Sequence, residues 1–81
     1  MSKWTLYIVK CKDSSLYTGI TTDLERRLGQ HNEGKGAWYT SFKRPVKLVY
    51  KKKCKDRSQA LKREIVIKKL PRKEKLKLVN V

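Results

Sequence analysis

Two tyrosines ten residues apart, Tyr7 and Tyr17, are followed by Arg27 after a further ten residues and by His31 four beyond that. Glu64 comes later, inside the basic stretch Lys62-Arg63-Glu64. The set offers two phenols, a guanidinium, an imidazole and a carboxylate. Phenols and imidazoles exchange protons, and a guanidinium donates hydrogen bonds to an anion and offsets its charge. One carboxylate can anchor Mg²⁺, which binds through one or two such groups and keeps its waters. Singly, each residue has an ordinary explanation. Strand tyrosines are usually core with a wet hydroxyl, a lone histidine is usually a satisfied polar group, arginine is usually paired, and Glu64 could form an i,i+4 ion pair with Lys68. The question is whether the fold aims them at one place.

The elements that would do so can be read from the chain. Residues 4–11 (WTLYIVKC) are β-branched and aromatic, and residues 16–20 (LYTGI) follow a polar turn, so the two predict a β-hairpin. With a three-residue loop at Lys12 to Ser14, Tyr7 lies opposite Gly19 and Tyr17 opposite Val9; both phenols then share a face, with open space at the glycine. A two-residue loop puts them on opposite faces, because a one-residue slip flips a strand. Thr22 and Glu25 fit a capping box, and Gly34 a helix stop. At about 100° per residue, Arg27 and His31 in that helix fall beside the Leu24 and Leu28 stripe, whereas Arg26 faces solvent.

A loop with Gly34, Gly36 and Pro45 leads to a third strand at residues 46–50. Asp56 and Gln59 repeat the capping pattern for a second helix, which ends before Pro71. Its Ala60, Leu61, Glu64, Ile65 and Ile67 span an arc of about 160°, which predicts that Glu64 faces inward with the apolar residues. Pro71 opens a short last helix carrying Leu76 and Val79. The order ββαβαα describes an α+β domain, a small sheet covered by helices.

Composition narrows the class of partner. The chain has 81 residues, room for one domain over 1–81, with 22 Lys+Arg against 7 Asp+Glu and a net charge of +15. Residues 51–77 alone carry a net +10. A field of that size favours nucleic acid over neutral ligands. A solvated basic helix face is the plainer alternative. No apolar stretch approaches the roughly 18 residues needed to span a bilayer and no signal peptide is evident, so no membrane role and a cytoplasmic location are expected. Cys11 and Cys54 are expected to be reduced and buried. One histidine and no CxxC pair argue against structural zinc.

Leu6-Tyr7-Ile8, Tyr17-Thr18-Gly19 and the run from Thr21 through Arg27 to His31-Asn32 resemble the motifs of the GIY-YIG nuclease domain. The likeness continues through Gly34-Lys35-Gly36-Ala37, Thr40, Ala60 to Glu64 and Lys68-Lys69-Leu70. It covers nearly the whole chain and is closest to the small bacterial proteins that consist of this domain alone. It implies a three-stranded antiparallel sheet flanked by helices, and metal-dependent hydrolysis of DNA phosphodiesters.

Carried across, Tyr7 and Tyr17 are paired phenols with Tyr7 as general base toward water. Arg27 steadies phosphoryl oxygens, His31 orients or relays the proton, and Glu64 holds a single Mg²⁺ or Mn²⁺. Gly19 gives clearance, and Lys35, Lys68 and Lys69 are the expected substrate-binding cations. Thr5, Leu6 and Thr18 depart from the name-giving pattern but leave both tyrosines in place, and Asn80 is the candidate for a C-terminal asparagine found in many members.

With so little machinery for base readout, recognition of DNA shape and backbone is expected, with branched or flapped DNA as substrate by resemblance. A monomer is expected, and a partner protein could add selectivity. The alternative is a catalytically inactive basic nucleic-acid-binding module on the same scaffold. A binder of anionic membranes or acidic proteins ranks third, because Leu61, Ile65 and Ile67 are expected to be used in closing the core.

Overall fold

A computed structural model of the chain describes residues 3–33 and 44–79. Strands β1 (Thr5–Lys10) and β2 (Leu16–Thr21) form the expected hairpin, and β1 pairs on its other side with β3 (Lys47–Lys53), giving the antiparallel order β2-β1-β3. Helices α1 (Leu24–Asn32), α2 (Arg57–Lys69) and α3 (Arg72–Val79) complete the order ββαβαα among the described residues.

The hairpin turn settles which register applies. Ser14 N–H donates to the Cys11 carbonyl at 2.9 Å and Cys11 N–H to the Ser15 carbonyl at 2.8 Å, so the loop is the three residues Lys12, Asp13 and Ser14. Ser14 takes the left-handed conformation, φ 69°, that such loops need at their last position. Asp13 Oδ1 accepts from the Ser15 N–H and supports the turn. Tyr7 therefore pairs with Gly19 and Val9 with Tyr17.

Alternation along the strands gives the sheet two different faces. On one, Leu6 and Ile8 pack with Cys54, Ala60 and Ile67 beneath α2, and Leu78 and Val79 of α3 close the edge of the cluster. On the other, Tyr7, Val9, Cys11 and Val46 are buried with Tyr17, Leu24, Leu28 and Leu48. Both cysteines are buried, one in each cluster.

Several local expectations shift. Asp23, not Thr22, caps α1: its backbone is extended and its carboxylate accepts from the Arg26 N–H at 3.2 Å. A carboxylate makes the stronger acceptor at a helix N-terminus, and the one-residue shift leaves Glu25 out of register for a reciprocal box. Asp56 caps α2 as expected, accepting from the Gln59 N–H at 2.8 Å, while Gln59 Oε1 accepts from the Lys55 N–H. The third strand is longer than expected and slips register between Ile8 and Val9, where Val49 is the extra residue of a bulge.

Ile65 is a correction, since it is 51% exposed. The arc that buries Ala60 and Ile67 is narrower than the apolar pattern implied, and Ile65 falls beyond its edge. Leu76 is likewise exposed, and it is Leu78 that packs inward with Val79. Lys35, Asn80 and the Gly34 to Thr40 motif lie outside the described residues.

Candidate active site

Tyr7 stands on the central strand and points to the α1 face, yet its hydroxyl ends over the neighbouring edge strand. Gly19 makes this possible. A Cβ built there would lie 2.6 Å from Tyr7 Oη and 2.8 Å from Cζ, so only a residue without a side chain lets the ring pass.

The hydroxyl arrives between two groups from α1. Arg27 Nε donates to it at 3.4 Å, and His31 Nε2 lies 2.9 Å away. The direction of the second bond follows the imidazole tautomer: with the ring proton on Nδ1, Nε2 accepts from the Tyr7 hydroxyl. Arg27 Nη1 also donates to Gln30 Oε1 at 3.3 Å, which steadies the guanidinium from one turn further along. His31 is fully buried, and the rings of Tyr17 and Tyr7 meet it edge-on at centroid distances of 5.4 and 5.9 Å. No buried side-chain nitrogen or oxygen among the described residues is left without a hydrogen-bond partner.

The electrostatics of the trio follow from its burial. Desolvation pushes the Tyr7 phenol above its ordinary value, and the hydrogen bond and charge of Arg27 offset only part of this. Burial, then the charge of Arg27, lowers His31, so the imidazole is neutral near pH 7. Arg27 is held still more firmly protonated, chiefly by its hydrogen bond to Tyr7.

Glu64 approaches from α2, on the inward arc of the helix between Ala60 and Ile67. Its side chain is 17% exposed, and the Lys68 ammonium sits 3.5 Å from its Oε2. Lys68 Nζ also lies 5.9 Å from the centre of the Tyr17 ring, so one cation is shared by the carboxylate and the ring. Both readings of Glu64 therefore hold: it makes the i,i+4 pair and it faces the site, close enough for its charge to raise Tyr7. Among the described residues no group of three or more His, Cys, Asp or Glu could hold a metal. A lone carboxylate suits a hard ion that keeps its waters, such as Mg²⁺, and does not suit zinc.

Tyr7, Tyr17, Gly19, Arg27, His31, Glu64 and Lys68 thus gather at one edge of the sheet. Lys69 is exposed on α2 and makes none of these contacts. Sequence reasoning missed Gln30, although its three-residue spacing from Arg27 is a helical contact distance. It also missed the role of Asn32, whose Oδ1 accepts from the Val46 N–H at 2.7 Å and ties α1 to the start of β3; this contact spans 14 residues and leaves no local signal.

The chain belongs to the GIY-YIG catalytic domain family, which it matches over residues 3–77. It is 54% identical over 80 residues to the UPF0213 protein SSP2268 of Staphylococcus saprophyticus, covering 99% of this chain and 98% of the relative. The UPF0213 protein DP2720 of Desulfotalea psychrophila is 54% identical over 78 residues, 95% of this chain and 71% of that one. Among solved structures, the UPF0213 protein BH0048 of Bacillus halodurans, determined by solution NMR, matches with a TM-score of 0.62 and 42% identity over 94% of this chain and 81% of its own. The protein EF2693 of E. faecalis gives a TM-score of 0.61 at 45% identity, covering 88% and 76% of the two chains. No helix among the described residues is long and apolar enough to cross a membrane.

Proposed function

We propose that the protein is a divalent-metal-dependent endonuclease that hydrolyses DNA phosphodiester bonds, recognising backbone and shape more than sequence. The observation that carries this is the Tyr7 hydroxyl, held by Arg27 Nε at 3.4 Å and His31 Nε2 at 2.9 Å. A surface that only binds DNA needs exposed cations. It gains nothing from a desolvated phenol and a neutral imidazole in its core.

Tyr7 takes a proton from the attacking water as its own proton passes to His31 Nε2. The water oxygen bonds to phosphorus, and the bond to the leaving oxygen breaks on the opposite side. Arg27 faces the non-bridging oxygens and offsets the charge that grows on them. Tyr17 packs edge-on against His31 and fixes the plane of the imidazole. Burial raises the Tyr7 phenol and Arg27 does not fully compensate, so base catalysis needs further positive charge beside the oxygen. A Mg²⁺ or Mn²⁺ ion on Glu64 would supply it, and would polarise the phosphate. Lys68, which occupies the carboxylate in the free protein, would have to yield that place.

Nicking of supercoiled and branched DNA, with and without Mg²⁺, tests this against the binding-module alternative. Wild type should nick only with metal, and Glu64→Ala should not nick while still binding DNA. If no DNA is cleaved with any divalent ion, the protein is a binding module.

A further inference from the structure

Helix α3 carries more apolar surface than the sheet covers. Leu78 and Val79 pack against the α2-side cluster, while Leu76, set about 160° from Leu78 around the helix, stays 41% exposed. Leu76 forms one lip of a groove of about 490 Å³ between α3 and the strands, whose other apolar walls are Leu16, Val49 and Val79. Val49 is the bulge residue of β3, unpaired with β1 and turned toward the α2 side. Arg72 Nη2 donates to the Ser14 carbonyl at 2.9 Å, which pins the start of α3 to the hairpin turn and sets the spacing of the two walls.

The rim of this groove is cationic. Lys10 on β1 and Lys73 and Lys77 on α3 line it, and Lys47 is the cross-strand neighbour of Lys10. Lys77 meets Glu74 at 3.4 Å in an exposed pair, whereas among the described residues Lys10 and Lys73 have no acidic partner. Aliphatic walls offer a phosphate backbone nothing to bond, so DNA does not suit the groove. A second copy would set lysines against lysines. A bilayer takes a protruding apolar face and not a cleft between a helix and a sheet. Both features are complemented by a segment that brings carboxylates to the rim and one apolar side chain to the floor.

We propose that the groove docks an acidic segment of a partner protein: one apolar side chain enters between Leu16, Val49 and Leu76, and carboxylates on either side of it meet Lys10 and Lys73. The groove opens on the α2 side of the sheet, and the Tyr7 hydroxyl is held on the α1 side. A docked partner and a phosphodiester at Arg27 therefore use different side chains, and the partner adds selectivity for which 81 residues have little room. The docking site stands apart from the nuclease reading and does not depend on it.

The probe is a fluorescein-labelled synthetic peptide in which a Leu-Leu pair sits between runs of Glu, beside a second peptide with Ser-Ser in its place. A protein of net charge +15 attracts both, so the informative quantity is the difference between them. By anisotropy at physiological salt, wild type should bind the leucine peptide about tenfold more tightly than the serine peptide, the order expected for burying one leucine side chain in part. Leu76→Ser, at an exposed position, should erase that difference and leave affinity for the serine peptide and for DNA unchanged. Lys73→Gln should weaken binding of the leucine peptide, and on adding that peptide to wild type the amide chemical shifts should move at Leu16, Val49 and Leu76. The proposal is overturned if the two peptides bind alike, if Leu76→Ser leaves their ratio intact, or if the shifts move only at Lys68 and Lys69. It is overturned equally if Leu76→Ser abolishes self-association in sedimentation or binding to phosphatidylglycerol vesicles, since the groove then belongs to a second copy or to a lipid surface. The leucine preference, found in a protein that nicks no DNA, would remove the nuclease reading and leave the docking site assigned.

Discussion

The two faces of this sheet are built from the same strands and serve different ends. Beneath α2, Leu6, Ile8, Ala60 and Ile67 form a dry cluster whose stability comes from apolar burial. Beneath α1, the largest buried side chains include Tyr7 and His31, and the space between them is closed by hydrogen bonds. A buried polar set stabilises only while every partner is present, since a lost partner leaves a desolvated group unpaired. The apolar face can therefore accept a change of shape at a cost in stability alone. The polar face should respond to substitution with a loss of chemistry out of proportion to the stability lost.

Arg27→Ala should break this contrast most visibly. Cleavage at saturating DNA should fall by on the order of 10²- to 10³-fold, as for removal of a donor to transition-state charge. Affinity should change by no more than about one phosphate contact. If activity returns at high enzyme and DNA concentration, Arg27 is a backbone clamp. On the opposite face, Ile67→Ala should cost roughly 2–5 kcal/mol of stability, as for other buried Ile-to-Ala changes, with the folded fraction keeping its rate. Urea denaturation beside single-turnover cleavage measures both.

Two glycines sharpen the comparison at smaller amplitude. Gly19→Ala drives a Cβ against Tyr7 Oη at 2.6 Å, and the rigid ring has to move. We expect a cost of about 1–3 kcal/mol from overpacking. Cleavage should fall by roughly 10²-fold as the hydroxyl leaves its partners. Gly29, within α1, has nothing within 4 Å of its would-be Cβ. Gly29→Ala should stabilise by about 0.5–1 kcal/mol and leave cleavage alone.

These positions also show what the chain reveals of itself and what it hides. Tyr7, Tyr17, Arg27 and His31 were legible because strand alternation and helical periodicity fix side-chain direction once an element is placed. Their common face hung on one turn residue, Ser14, whose left-handed backbone is not encoded by a glycine or asparagine and so left two registers open. Glu64 was legible as inward-facing, but Ile65 was misplaced, because a helix wheel gives direction and not the width of the surface it meets. Gln30 is a helical neighbour of Arg27 that spacing could have found.

Acid should separate the faces again. His31 is depressed below its ordinary value of 6.5 by burial and by Arg27, so the unfolded chain binds a proton that the folded chain resists. Stability contributed here is present above pH 6.5 and is lost as pH falls from there through the folded pKa. His31→Gln removes the titrating group and should flatten this decline, although its baseline stability is lower. Thermal denaturation of both proteins across pH 4 to 8 (roughly the histidine range) checks it, and parallel curves would mean that His31 is not the group responsible.

The smallest effect concerns charge at the junction between the site and the basic surface. Lys69 is exposed, and if it neutralises one phosphate, Lys69→Gln should reduce the slope of log affinity against log salt by about 0.9. Lys68 is adjacent in sequence but is held by Glu64 at 3.5 Å and lies over Tyr17, so its charge is already partly balanced within the protein. Lys68→Gln should therefore flatten the slope by clearly less than Lys69→Gln. It should also leave Glu64 without its resident cation, so Mn²⁺ should bind more tightly, measurable by titration calorimetry without DNA. A full-contact change in slope from Lys68→Gln, with Mn²⁺ affinity unmoved, would mean that the ion pair opens onto DNA and that Lys68 belongs to the phosphate-binding surface, not to the site.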